Sequence, residues 1–125
     1  MQALRGEPIT VYGDGLQTRS FLYITDNVEA HLLLLSKAEA RGEIVNIGST
    51  EEVTILELAE LIRELTGSSS PIVHLPPRPD DPRRRCPDIS KARRLLGWSP
   101  RVSLREGLMK TIKWVRSRFN MGELG

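Results

Sequence analysis

The sequence is poor in the residues that announce covalent or metal chemistry. It carries one cysteine, Cys86, and two histidines, His31 and His74, in 125 residues. A single thiol excludes an internal disulfide and does not make a metal site. Cys86 reads as a bystander thiol in a loop. Neither histidine has a serine, cysteine or acid at triad spacing, so no catalytic residue is assigned. No apolar run approaches the roughly 18 residues that cross a bilayer, and no charged-then-apolar leader precedes Gln2. A cytoplasmic protein with no membrane partner is therefore expected. Aromatic residues make up 5% of the chain. None interleaves with the arginine run at 83–85 and no helix is basic, so a nucleic-acid partner is not expected. Gly13-Asp14-Gly15 lacks the third glycine of a dinucleotide loop, and no strand–GxGxxG–helix unit occurs.

What remains is the composition of an ordinary soluble globular chain, with 39% hydrophobic and 27% charged residues. Its length fits one domain over 1–125, or a piece of one. The net charge of +2 suits a small anionic ligand at least as well as nucleic acid.

The most informative stretch is Val11 to Asp26, VYGDGLQTRSFLYITD. A Gly-Asp-Gly turn separates two apolar, β-prone runs, and the second, Phe21 to Ile24, leads into Thr25-Asp26. The layout predicts strand, tight turn, strand and helix. Before it, Met1 to Glu7 reads as the end of a helix begun upstream, with Gly6 as its stop. Pro8 opens an extended run over Ile9 to Tyr12.

Asp26 and Glu29 fit a capping box. The helix they open, to about Lys37, is nearly all apolar from Ala30 to Leu35 and is expected to be buried. His31 then reads as a satisfied core histidine. Glu43 to Gly48, EIVNIG, predicts a short strand. Thr54 and Glu57 form another capping box for a helix ending at Thr66, with apolar positions 55, 58, 59, 62 and 65 on one stripe. Ile72 to Leu75 predicts a strand. Pro76 to Pro87, PPRPDDPRRRCP, has too many prolines for helix or central strand and predicts a stiff, irregular loop. A short helix over Ser90 to Leu96 ends at Gly97, and Ser103 with Glu106 caps a last helix through Phe119. Residues 120–125 are expected to fray. The element order is α/β, with an α+β-like mixture whose strand pairing is not readable.

Arg19 could hold a phosphate, since a guanidinium presents two parallel donors; it could equally form a surface salt bridge to Asp14 or Asp26. Of Arg83, Arg84 and Arg85, at least two are expected on a solvated face. Asp80 and Asp81 could pair with neighbours and stiffen the loop. Tyr12 could stack on a nucleobase, with Thr10 or Val11 touching it through the main chain, or could be a core residue. Asn46 reads as a side chain bridging strand ends.

GDGLQTRSFLYITD, VNIGSTEEVTILELAELI, DDPRRRCPDISKARRLLGWSP and SLREGL together resemble the carboxyl-terminal part of nucleotide-sugar enzymes of the extended short-chain dehydrogenase/reductase type. The resemblance runs from about Gln2 to Phe119. Its DDPRRRCPDI loop looks most like the UDP-glucuronate decarboxylases, and less like the dTDP-glucose 4,6-dehydratases and UDP-sugar epimerases. The resemblance implies that Thr10, Val11 and Tyr12 line a nucleobase pocket. It implies that Arg19 and Arg85 contact a diphosphate, with Arg78 a further phosphate ligand, and that Asp26 is structural. The implied ligand is a UDP-sugar or dTDP-sugar.

The family's amino-terminal Rossmann half, with its NAD loop and its Tyr-xxx-Lys pair, has no counterpart here. Leu16 follows Tyr12 by four residues and Asn27 follows Tyr23 by four. The chain is thus expected to hold no cofactor, although the complete family enzyme uses NAD, and to bind without catalysing alone. The missing half or a second copy of the chain, in a homodimer, is the expected partner. A non-enzymatic, self-associating module is the alternative.

Overall fold

The computed structural model describes the backbone over residues 1–120 and side chains through 118. Helix α1 (Gln2–Arg5) stops at Gly6, whose φ of 71° is left-handed. Strand β1 (Ile9–Tyr12) runs parallel to β4 (Ile72–Leu75), with Val11 opposite His74. Strand β2 (Thr18–Ser20) lies between β3 (Glu52–Thr54) and β5 (Arg84–Arg85), antiparallel to the first and parallel to the second. The helices are α2 (Ile24–Ser36), α3 (Ile55–Thr66), α4 (Ser90–Leu96) and α5 (Leu104–Asn120). A mixed α/β fold is thereby established.

Two apolar clusters hold these elements. Ala3, Ile9, Val11 and Ala59 bury α3 against β1, joined by Ile55, Ile62 and Ile72. Ala30, Ile89, Ala92, Leu96 and Trp98 form the other cluster, with Leu22, Val45 and Ile47 packed on it. Trp98 is its largest member, and its indole N–H donates to the carbonyl of Asp26 at 3.1 Å. A tryptophan can be buried this deeply because its one donor finds a partner.

The helix ends follow the sequence where the cap is local. Thr54 and Glu57 form the reciprocal capping box of α3, and Gly67 and Gly97 close α3 and α4 in the left-handed region. The amide of Glu106 donates to Ser103 Oγ at 3.3 Å at the start of α5. That helix runs to Asn120, one residue past its expected end. Of the residues expected to fray, Asn120 belongs to this helix, and 121–125 with the side chain of Phe119 lie outside the described residues.

Four expectations are corrected. The second strand is 18–20, not 21–24, because β3 offers no ladder partner beyond Glu52, opposite Ser20. Asp26 does not cap α2, which begins at Ile24 with no side-chain cap bond. Instead Asp26 is buried, and its Oδ2 accepts from the amides of Arg101 and Val102 at 2.9 Å each. The α2 helix is not buried all round: Leu32 and Leu35 are 60% and 86% exposed, and His31 is exposed too. Finally, residues 43–48 are not a strand among the described residues. Val45 and Ile47 point to the Trp98 cluster while Ile44 and Asn46 face outward. The alternation of a half-buried strand is real, but no ladder pairs with it.

Candidate nucleotide-binding site

The turn after β1 sets the site. Gly15 has φ 76°, and a Cβ there would meet Val11 Cγ1 at 2.9 Å, so only glycine closes this turn against the core. The carboxylate of Asp14 accepts from the Leu16 amide and from Arg83 at 2.8 Å. Arg83, and secondarily that amide, holds the Asp14 carboxyl below its ordinary value. The glycine turn is thereby tied to the proline-rich loop. The turn leads into β2, which carries Arg19 in the middle of the three-stranded sheet.

Arg19 and Arg85 are direct partners in the β2–β5 register, which sets their backbones roughly 4.8 Å apart. Neither Asp14 nor Asp26 pairs with Arg19, as the surface-bridge reading had it. Its Nη1 donates to the carbonyls of Thr18 (2.6 Å) and Pro82 (2.8 Å), and its Nη2 donates to Asp81. Of the arginine run, Arg83 is held by Asp14 and Arg84 by a bidentate pair to Glu52. Arg84, and after it the Thr18 hydroxyl, lowers the Glu52 carboxyl below its ordinary value. Arg85 has no hydrogen-bond or ion-pair partner among the described residues. Arg83 and Arg84 lie on a solvated face, as expected of at least two of the three, and each is paired there with an acid.

A cavity of about 490 Å³ is lined by Thr10, Tyr12, Gln17, Arg19, Arg78 and Arg85, with Asp81 on its wall. Five of the six expected binding residues thus meet at one opening. The exception is Val11, whose side chain is 1% exposed in the core, leaving only its main chain for the contact expected of it. Tyr12 is not a core residue: the Arg78 guanidinium lies over its ring, 4.1 Å from the centroid. A second cavity, of about 460 Å³, adjoins the first and shares Tyr12, Gln17, Arg78 and Asp81 with it. On the far side of Arg19 and Arg85 lies a third, of about 440 Å³, bounded by Ser20, Asn46 and Gly48. The arginine pair therefore stands between two hollows. Asn46 is exposed and bridges no strand ends.

Gln17 was not foreseen. It is buried, its amide N–H donates to the carbonyl of Tyr12 at 2.9 Å, and it lines both hollows. Nothing in the sequence marks it, since one glutamine after a glycine turn has no distinctive spacing. No His, Cys, Asp and Glu grouping among the described residues could hold a metal. His74 bonds the carbonyl of Gly13 through Nδ1 and is not paired with an acid. The site can bind and orient an anion, and it offers no acid–base dyad.

The family described as GDP-mannose 4,6 dehydratase matches residues 1–111. The chain belongs to this family of NAD-dependent nucleotide-sugar epimerases and dehydratases, of the extended short-chain dehydrogenase/reductase type. Among family members, UDP-glucuronic acid decarboxylase 1 of Danio rerio is 52% identical over 91% of this chain and 27% of its own length. UDP-glucuronic acid decarboxylase 2 of Arabidopsis thaliana is 50% identical over 94% and 26%. UDP-glucose 4-epimerase of Thermotoga maritima, solved with UDP-glucose, superposes with a TM-score of 0.89 at 39% identity, over 94% of this chain and 38% of that one. UDP-glucuronic acid 4-epimerase of Bacillus cereus, solved with UDP-glucuronic acid and NAD, gives 0.87 at 36% identity, over 93% and 37%. The chain spans about a quarter of these curated relatives and under two fifths of the solved ones.

The family implies NAD, and the described residues do not fit it. Strand β1 is followed by a glycine turn into β2, not into a helix whose N-terminus could take a pyrophosphate.

Proposed function

We propose that this chain is the nucleotide-sugar-binding portion of a UDP-glucuronate decarboxylase-like or closely related dehydratase or epimerase activity, and does not catalyse alone. One observation carries the reading: Arg19 and Arg85 are register partners lining one cavity, beside Tyr12, Thr10 and Arg78. Two guanidinium groups carried on adjacent strands into one cavity suit the two phosphates of a nucleoside diphosphate. The base would lie along Tyr12 and Thr10, and the sugar would extend past the arginines toward Asn46. The identity with the decarboxylases favours a UDP-sugar, and the same loop that carries Arg85 carries Arg78.

Calorimetric titration of the chain with UDP-glucuronic acid and with dTDP-glucose tests the reading. Saturable heat with UDP-glucuronic acid supports it, and no binding at millimolar ligand contradicts it.

A second reading has its own observation. Ile24, Val28, Leu32 and Leu35 form one exposed apolar row along α2, and the strand-like segment 43–48 lacks a ladder partner. The row suits coverage by another polypeptide, either a second copy or one resembling the remainder of the relatives. In this reading the chain is a stand-alone oligomerising module. Light scattering that returns only monomer at high concentration contradicts it.

A further inference from the structure

Resting on the binding role just proposed, we infer that Asp81 sets the affinity of the site for phosphorylated ligands by competing with them for Arg19. Its carboxylate sits on Nη2 of Arg19, and the pair is sheltered, with the side chains 16% and 33% exposed. The opposite corner of the guanidinium, Nη1, is already fixed by the carbonyls of Thr18 and Pro82. Arg19 is therefore oriented by main chain and does not need Asp81 to hold its plane. What Asp81 occupies is Nη2, one of the two donors of the remaining edge through which a guanidinium grips a phosphate bidentately.

Asp81 also lies on the wall shared by the two nucleoside-sized cavities. A phosphate reaching Arg19 through the cavity that both residues line meets this carboxylate, with charge of the same sign. The carboxylate hangs on a turn whose preceding residue, Asp80, has φ 59°. A non-glycine residue is rarely left-handed, and such positions are held only where the surroundings impose them. Turning the Asp80–Asp81 link toward the extended region would relax that residue and carry the carboxylate off Arg19. Ligand binding thus exchanges one anion for another on a prealigned cation.

The experiment measures UDP and uridine affinities of the full chain and of Asp81→Asn, Asp81→Glu and Arg19→Ala, by calorimetry for UDP and ligand-observed NMR for uridine. Loss of the competing charge is expected to tighten UDP binding about two- to fivefold, the upper range for an ion pair that solvent still reaches. Uridine, lacking phosphate, should bind Asp81→Asn and wild type alike, and Asp81→Glu should retain wild-type UDP affinity. Unchanged or weaker UDP binding by Asp81→Asn, with Arg19→Ala still impaired, overturns the competition and leaves the binding role standing. An equal shift for uridine and UDP also overturns it, because a purely structural role moves both. UDP binding indifferent to Arg19→Ala, or absent from wild type, overturns the binding role itself. Should Asp81→Asn not fold, Asp81→Ser carries the same expectation.

Discussion

Replacing Asp26 separates two accounts of the same aspartate. As a helix cap it would bond the first turn of α2; in the structure it bonds the chain 75 residues away. Its Oδ2 accepts from the amides of Arg101 and Val102 at 2.9 Å, and its carbonyl receives the Trp98 indole N–H. Asp26→Ala leaves the carbonyl bond in place and removes the acceptor of two amides. A hydrogen bond to a charged group contributes roughly 1.5–3 kcal/mol. Arg101 is exposed and Val102 half-buried, so water recovers part of the loss. The expected destabilisation is about 2–4 kcal/mol, read from urea denaturation at unchanged m-value. Asp26→Ser decides the matter. Serine caps a helix nearly as well as aspartate, but its hydroxyl is too short to reach residues 101 and 102. The structure predicts that serine loses most of what alanine loses, while asparagine retains about half. Serine at wild-type stability, or alanine within about 0.5 kcal/mol of wild type, would refute the tie.

Other perturbations have equally specific outcomes. Gly15→Ala forces a Cβ to 2.9 Å from Val11 and 3.1 Å from Leu56 at a left-handed φ, and should cost about 2 kcal/mol or more by thermal denaturation. Stability should fall on acidification below the ordinary glutamate value of 4.5, because Arg84 and Thr18 lower the folded-state value of Glu52. The unfolded chain then takes up the proton first, so the contribution is complete above 4.5 and lost as pH passes through the lower folded value. Glu52→Gln should flatten that limb of a pH-dependent unfolding curve, and an unchanged limb would exclude the pair as its source. Leu32→Glu with Leu35→Lys should abolish any concentration-dependent mass in light scattering if α2 is a contact face, and leave the melting temperature nearly unchanged.

Local signals were legible in the sequence and long-range ones were not. Thr54 with Glu57, and the glycines at 67 and 97, specify helix ends within a turn of themselves, and the structure places them as read. Asp26 carried the same local pattern, yet its oxygen is taken by amides distant in sequence. Residues 43–48 show the converse. Their alternation records which side faces Trp98, but a strand also needs a neighbour, and no pattern within the segment supplies one. At the site, the arginine loop and the glycine turn were visible as motifs. That Arg19 and Arg85 would be register partners was not, because the two-residue β5 is an edge strand inside a stretch whose prolines exclude only helix and central strand and mark no pairing. The strand's own period divides the three residues expected at the base: the Thr10 and Tyr12 side chains border the cavity, while that of Val11 faces the core and leaves only its main chain for contact.

The central claim is that two guanidinium groups on adjacent strands grip one diphosphate. Its most direct test is the UDP affinity of Arg19→Ala and Arg85→Ala beside that of wild type, with uridine as the ligand lacking phosphate. Each substitution should weaken UDP binding about tenfold or more and leave uridine unaffected. UDP binding that survives both substitutions unchanged would contradict the claim.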